Sequence, residues 1–208
     1  MPSICNMPST PSLKTRALAL VRKRGIARAR DFNAIGVPRV YLKRMQEEGL
    51  LVQRGRGLYQ LADAELSPTH SLAEATRIVP HGVICLLSAL QFHELTTQTP
   101  HEVWMLIGWK KWAPTRPPVS LRIIRATGKS LTAGIELHRI EQVPVPITVP
   151  AKAVADCFKY RNKVGLDVAI EALRNCLRNR RATADELWKY ATIDRVQNVM
   201  RPYLEALL

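Results

Sequence analysis

Residues 39–47 read Arg-Val-Tyr-Leu-Lys-Arg-Met-Gln-Glu, and the side chains suited to chemistry repeat at helical spacing. At about 100° per residue, Arg39, Val40, Lys43, Arg44 and Glu47 fall on one side of a helix. Tyr41, Leu42 and Met45 fall on the other and would pack on neighbouring helices. Guanidinium forks match guanine O6/N7 or phosphate, and a valine can touch a thymine methyl. A little further on, Arg54-Gly55-Arg56-Gly57 sets two cations on a tight turn, where they can enter a narrow minor groove or hold phosphates. Lys14, Arg28 and Arg30 add cations to the same stretch, and Lys14 with Arg22, Lys23 and Arg24 can reach backbone phosphates. A solvated basic face on a protein-interaction module is the competing reading. The order of elements around these residues favours duplex DNA.

Those elements are legible from punctuation. Leu13 to Arg24 is a helix with Ser12 as N-cap and Gly25 as stop. Ala29 to Ile35 is a second, short helix. Gly36-Val37-Pro38 is a turn, and Pro38 to Glu48 is a third helix closed by Gly49. Proline is tolerated at a helix start, where its missing N–H would be unpaired anyway. Leu50-Leu51-Val52 and Leu58-Tyr59-Gln60-Leu61 flank the Gly/Arg turn as a hairpin. Helix, turn, helix, hairpin is a winged helix-turn-helix.

The remainder offers weaker material. His81 and Cys85 are spaced i, i+4, as two metal ligands on a helix face would be, with His93 and His101 beyond, but no fourth ligand has a recognisable spacing. Asp156 lies in the apolar context Ala-Lys-Ala-Val-Ala-Asp-Cys-Phe-Lys-Tyr. It is catalytic or metal-binding, or it is a buried acid capping or pairing with Lys152, Lys159 or Arg161, the commoner case. Trp104, Trp109 and Trp112, with Lys110, Lys111 and Arg116, form either an aromatic-basic surface for nucleic acid or a loop packed by its tryptophans. There is no P-loop, dinucleotide fingerprint, nucleophile elbow or HExxH. We expect no catalytic residues, no metal and no cofactor. A nuclease or nucleotide-processing enzyme centred on Asp156 is the weakest reading, for want of a second carboxylate.

The expected class is α+β: a winged helix-turn-helix over 13–61, then a mixed α/β domain over 71–208 with a late helical group. Residues 1–12 read as a loose arm and 62–70 as a linker. In the second domain, Ser71–Ile78 is a helix and Val83–Leu95 a buried helix. Val103–Ile107 is a strand covered on both faces, and 109–118 a proline-rich loop. Leu121–Arg125 and Ile135–Ile140 are strands. Val143–Val149 alternates with period two, but Pro144 and Pro146 confine it to a sheet edge or an extended lead-in. Helices follow Pro150.

Charge supports the division. The 208 residues carry a net charge of +14, which calls for a polyanionic partner. Residues 1–61 hold 12 Lys/Arg against 3 Asp/Glu, while the rest hold 19 against 14. The basic excess is concentrated in the DNA module. Of Cys5, Cys85, Cys157 and Cys176, none forms a CxxC pair, and Cys157 and Cys176 read as small core residues. With no secretory signal pattern and no apolar run of membrane-spanning length, the expected home is the cytoplasm.

Four stretches carry a family resemblance: GVPRVYLKRMQEEGLLVQRGRGLYQL, ICLLSALQFHELT, PITVPAKAVADCFKYRNKVGLDVAIEALRNCLR and RPYLEAL. Together they resemble the AbiEi antitoxins of bacterial toxin–antitoxin systems, over nearly the whole chain after residue 12. The resemblance implies an N-terminal domain that binds inverted repeats in its own promoter and represses the operon. It also implies a C-terminal domain that counters a nucleotidyltransferase toxin, in a type IV system where the two need not form a stable complex, and a role in phage defence. A plain winged-helix regulator with a ligand-sensing or dimerising second domain is the alternative. No heptads enforce a dimer, so a monomer or weak dimer binding two repeats cooperatively is expected.

Overall fold

Ser12 caps the first helix: its hydroxyl accepts from the Thr15 backbone N–H at 3.1 Å. The helix, α1 (Leu13–Arg24), ends at Gly25 with φ 66°. In this computed structural model residues 12–64 and 67–207 are described, and they divide into two units, one up to Glu65 and one from Leu66. Most of the arm expected over 1–12 therefore lies outside the described residues, as does Cys5.

After α1 come β1 (Ala27–Arg28), α2 (Ala29–Ala34), α3 (Arg39–Glu47), β2 (Leu51–Gly55) and β3 (Leu58–Leu61). The turn between α2 and α3 is closed by Gly36 N–H on the Asn33 carbonyl and Val37 N–H on the Phe32 carbonyl, both 2.9 Å. Pro38 stands at the N-cap of α3, one position earlier than the spacing suggested. Gly49 takes φ 69° just past the end of α3, the left-handed conformation that a glycine accepts without Cβ strain. The three strands form an antiparallel sheet in the order β1-β3-β2. This is a winged helix-turn-helix. Its core joins Ala17 and Val21 of α1, Phe32 of α2, Val37, Leu42 and Met45 of α3, and Leu51 of β2. Phe32 meets Tyr59 edge-to-face at 5.7 Å.

The second unit runs α4 (His70–Ile78), β4 (Val83–Ile84), α5 (Leu86–Phe92), β5 (Val103–Gly108), β6 (Leu121–Ala126), α6 (Lys129–Thr132), β7 (Ile135–Ile140) and β8 (Val143–Thr148). Five helices follow: α7 (Pro150–Lys159), α8 (Arg161–Val164), α9 (Leu166–Arg178), α10 (Ala184–Ile193) and α11 (Gln197–Glu205). The sheet order is β6-β5-β4-β8-β7. Strands β5 and β6, like β4 and β8, are parallel; β4–β5 and β7–β8 are antiparallel. The class is mixed α/β with a late helical group, as expected.

Two expectations change. Val83–Leu95 is not one buried helix: Val83 and Ile84 are a central strand, and the helix begins at Leu86. Val and Ile fit a pleated, fully buried surface, and the apolar run carries no sign of where strand gives way to helix. Val143–Val149 is not an edge: β8 lies between β4 and β7. Pro144 and Pro146 lack the N–H that a hydrogen-bonded antiparallel pair requires, so Val143, Val145 and Ile147 carry the ladder to β7. On the other side β4 reaches β8 only at Ile84–Ile147, so the prolines interrupt little there.

The β7–β8 hairpin turns through Glu141 (φ 47°) and Gln142 (φ 65°), both positive as a two-residue type I′ turn demands. Side-chain contacts hold this unusual pair. The Glu141 carboxylate accepts from the Ser67 backbone N–H and pairs with His70 Nδ1, each at 2.7 Å. Burial raises the Glu141 pKa, but these bonds outweigh it and hold the acid below its ordinary value.

Candidate nucleic-acid interface

Helix α3 separates its faces as its spacing requires. Leu42 and Met45 are fully buried, and Tyr41 is half-buried. Arg39, Val40, Lys43, Arg44 and Glu47 are exposed. Val40 is 83 % exposed, the highest value for a large apolar side chain among the described residues. A branched apolar residue gains nothing from water, and here it sits between cations on a helix that is otherwise well sorted. Arg39 makes no ion pair among the described residues. Arg44 stacks over Tyr41 at 6.0 Å, and Lys43 has only a 3.9 Å approach to Glu47. The helix thus presents two guanidinium groups and an ammonium with little internal neutralisation.

The wing differs from its sequence reading in one respect. Arg54 lies at a bulge, where the β2–β3 register shifts between Gln53 and Gly55. Its Nε donates to Gln60 Oε1 at 3.0 Å, and Gln60 is 1 % exposed. Arg56 is exposed at the turn itself, beside Gly57 with φ 74°. Only Arg56 is a freely presented tip cation. Arg54 is half-buried and braces the strand.

The other basic candidates also divide. Lys14 donates to Glu48 at 2.8 Å, joining α1 to the end of α3. Arg28 starts α2, and its backbone N–H donates to Asp31 at 2.9 Å. Burial, then the neighbouring Arg30 charge, lowers its pKa. Arg30 is exposed. Nothing in the sequence singles out Arg16, yet its guanidinium lies against Gly36 in the turn, 3.2 Å from where a Cβ would stand.

In the second unit the metal candidates do not converge. His81 precedes β4 and Cys85 caps α5, so no helical i, i+4 pair exists. His81 Nε2 meets the Trp112 carbonyl at 2.9 Å, and His93 Nε2 the Thr148 carbonyl at 2.7 Å. His101 is exposed. Among the described residues no group of three or more His, Cys, Asp or Glu could hold a metal. Cys157 and Cys176 are fully buried.

Asp156 is paired. Helix α7 is buried from Ala151 to Phe158, against α5, α9, α10 and α11. Lys152 donates to Asp156 one turn away and to Asp194 Oδ2 at 2.9 Å. Asp194 also accepts from Lys159 at 3.2 Å. Both lysines thus serve Asp194, while Asp156 shares one, and its Oδ2 is buried without a partner. Burial pushes the Asp156 pKa up to about 7. On Asp194, burial opposes the two lysines, which prevail and hold it below its ordinary value. Asp156 is 1 % exposed, out of a substrate's reach. The distant partner Asp194 had no local signature in the sequence.

The tryptophans do not act together. Trp104 is 6 % exposed on β5, with Arg122 over its ring at 5.5 Å. Trp109 and Trp112 are each 65 % exposed, and Lys110, Lys111 and Arg116 are exposed in the same loop.

An exposed basic recognition-type helix on a winged helix-turn-helix is the architecture of DNA-binding regulators. Residues 16–62 match a family described as "Transcriptional regulator, AbiEi antitoxin", which bears out the family resemblance over that segment. Among solved structures, the chain is similar to the RV2827C protein from Mycobacterium tuberculosis, with a TM-score of 0.60 at 13% identity, covering 95% of this chain and 81% of that one. At that identity the likeness is one of fold. No curated protein matches the chain. Among the described residues no helix is long and apolar enough to cross a membrane.

Proposed function

We propose that the chain is the antitoxin and transcriptional autorepressor of a toxin–antitoxin operon. It binds inverted repeats in its promoter through α3 and counters a nucleotidyltransferase toxin through its second unit. The observation that carries the DNA half is the exposed set Arg39, Val40, Lys43 and Arg44 on α3. Arg39 and Lys43 read base edges, Val40 contacts a thymine methyl, and Arg44 grips base or phosphate. Arg56, Arg30, Arg28 and Lys14 hold the backbone, with Arg54 bracing the wing. The match over 16–62 supports the antitoxin half, and the role is one of binding rather than catalysis.

The test uses the full chain and duplexes from its own upstream region. Arg39→Ala and Lys43→Ala should each cost about 1–3 kcal/mol on the specific site and little on random duplex. Arg56→Ala should weaken both alike. With about five to seven phosphates neutralised, log K should fall against log[salt] with a slope near −5 to −6. A flat salt response would refute DNA binding. Rescue from the toxin by a chain carrying Arg39→Ala and Lys43→Ala together, with repression lost, separates antitoxicity from repression; failure of that rescue would reduce the antitoxin role to repression alone.

A further inference from the structure

A cavity of about 720 Å³ opens in the second unit. It lies where the end of β6, the start of α6, the end of α7 and the corner after α10 come together. Four cations from three stretches of the chain line it: Arg125 and Lys129, Lys159, and Arg195. The lining holds one carboxylate, Asp194, and that one is already shared by Lys152 and Lys159. Arg125, Lys129 and Arg195 form no ion pair among the described residues and are exposed. Cations gathered in a concave site with one already shared carboxylate among them repel one another, and a polyanion relieves that repulsion.

One wall of the cavity is aromatic. Trp109 is 65 % exposed, and its backbone is fixed: Arg125 Nη1 donates to the carbonyls of Trp109 at 2.6 Å, Lys111 at 3.0 Å and Gly108 at 3.3 Å. An indole with most of its surface in water, held on a pinned backbone, is a ready stacking platform. Lys159 donates to Ser130 Oγ at 2.8 Å and to Asp194 and stands over the Tyr160 ring at 5.7 Å, and an ammonium carries one donor more than those two bonds use. Tyr160 adds a phenol to the lining. The volume is that of a small-molecule site, larger than a bare phosphate requires.

We propose that this cavity binds a nucleoside polyphosphate, its base against Trp109 and its phosphates among Lys129, Lys159 and Arg195. A free nucleotide and the triphosphorylated 5′ end of an RNA present this same chemistry. The site is independent of the DNA-binding reading, since it uses no residue of the first unit.

The test is a fluorescence and calorimetric titration of the full chain with ATP, GTP, CTP and UTP. Inorganic tripolyphosphate and a short RNA carrying a 5′-triphosphate are titrated in parallel. Saturable binding of at least one nucleotide is expected, with quenching that Trp109→Phe largely removes. Lys129→Ala and Arg195→Ala, both at exposed positions, should each weaken binding about tenfold, the loss of one charge-assisted contact. Tripolyphosphate should bind more weakly than the nucleotides. RNA that competes at the same site and binds tighter assigns the strand end as the source; a nucleotide that binds as tightly assigns the free form. The proposal is overturned by no saturable binding below about 10 mM or by binding that ignores all three substitutions. Tripolyphosphate binding as tightly as any nucleotide, with Trp109→Phe silent, would also overturn it, since the site would then recognise no nucleoside. Circular dichroism of each variant keeps loss of fold separate from loss of binding.

Discussion

Replacing Asp156 by Asn should change how stability depends on pH rather than collapse the fold. Asp156 is buried, and its one lysine partner is shared with Asp194. Burial pushes its pKa from 3.8 to about 7. A carboxyl whose folded pKa lies above its unfolded one holds a proton in the folded state that the unfolded chain releases. Its contribution therefore favours folding as pH falls from about 8 towards 4 and is lost as pH rises through about 7. With those two pKa values, the native state gains about 2 kcal/mol between pH 8 and pH 5.5, at 1.36 kcal/mol per pKa unit. Burial, the first cause, lowers the His93 pKa, so that residue favours folding at higher pH. The quantity to measure is thus a double difference: urea unfolding of wild type and Asp156→Asn, each at pH 5.5 and 8. All four tryptophans, Trp104, Trp109, Trp112 and Trp188, lie in the second unit, so their fluorescence isolates it. The variant should lose about 2 kcal/mol of pH dependence and stay within about 1 kcal/mol of wild type at pH 8, since an uncharged amide still accepts from Lys152. Parallel pH profiles would refute the reasoning. So would a loss of about 3–5 kcal/mol at pH 8, the mark of a broken, fully charged buried pair.

Two further outcomes follow from backbone geometry. Gly49→Ala should cost about 1 kcal/mol in the first unit through φ strain alone, because nothing lies within 4 Å of the added methyl. Hydrogen exchange of the α3 amides would register it, and Gly49→Asn should lose less. Thr183 caps α10 in a reciprocal box with Glu186, so Thr183→Ala should cost about 1 kcal/mol in tryptophan-monitored unfolding.

Local chemistry explains why the first unit was so readable. Ser12, Gly25, Pro38 and Gly49 each act within one turn of where they stand, and the faces of α3 follow from spacing alone. The second unit obeys longer-range rules. The central strand Val83–Ile84 is two residues inside an apolar run, and only its position between β5 and β8 makes it a strand. Pro144 and Pro146 pointed to an edge, because a sequence does not reveal that β8's inner neighbour is too short to need their N–H groups. Glu141-Gln142 carries none of the usual marks of a type I′ turn, since its conformation is secured by Ser67 and His70, some seventy residues earlier. At the candidate DNA interface, side-chain types are legible but their commitments are not: Arg54 to Gln60 and Lys14 to Glu48 are tertiary facts. The cavity draws its cations from three stretches, 125–130, 159–160 and 193–195, and no window of sequence displays them together.

The brevity of β4 has a mechanical side. Two six-residue ladders, β5–β6 and β7–β8, are each well bonded within themselves, while the seam between them runs through Val83 and Ile84. Load applied across the strands would find that seam poor in backbone bonds. Resistance there falls to side chains such as Ile84, Met105 and Ile147, which deform gradually, rather than to a ladder that ruptures at once. The sheet should yield first along its middle and leave two intact hairpin-sized halves.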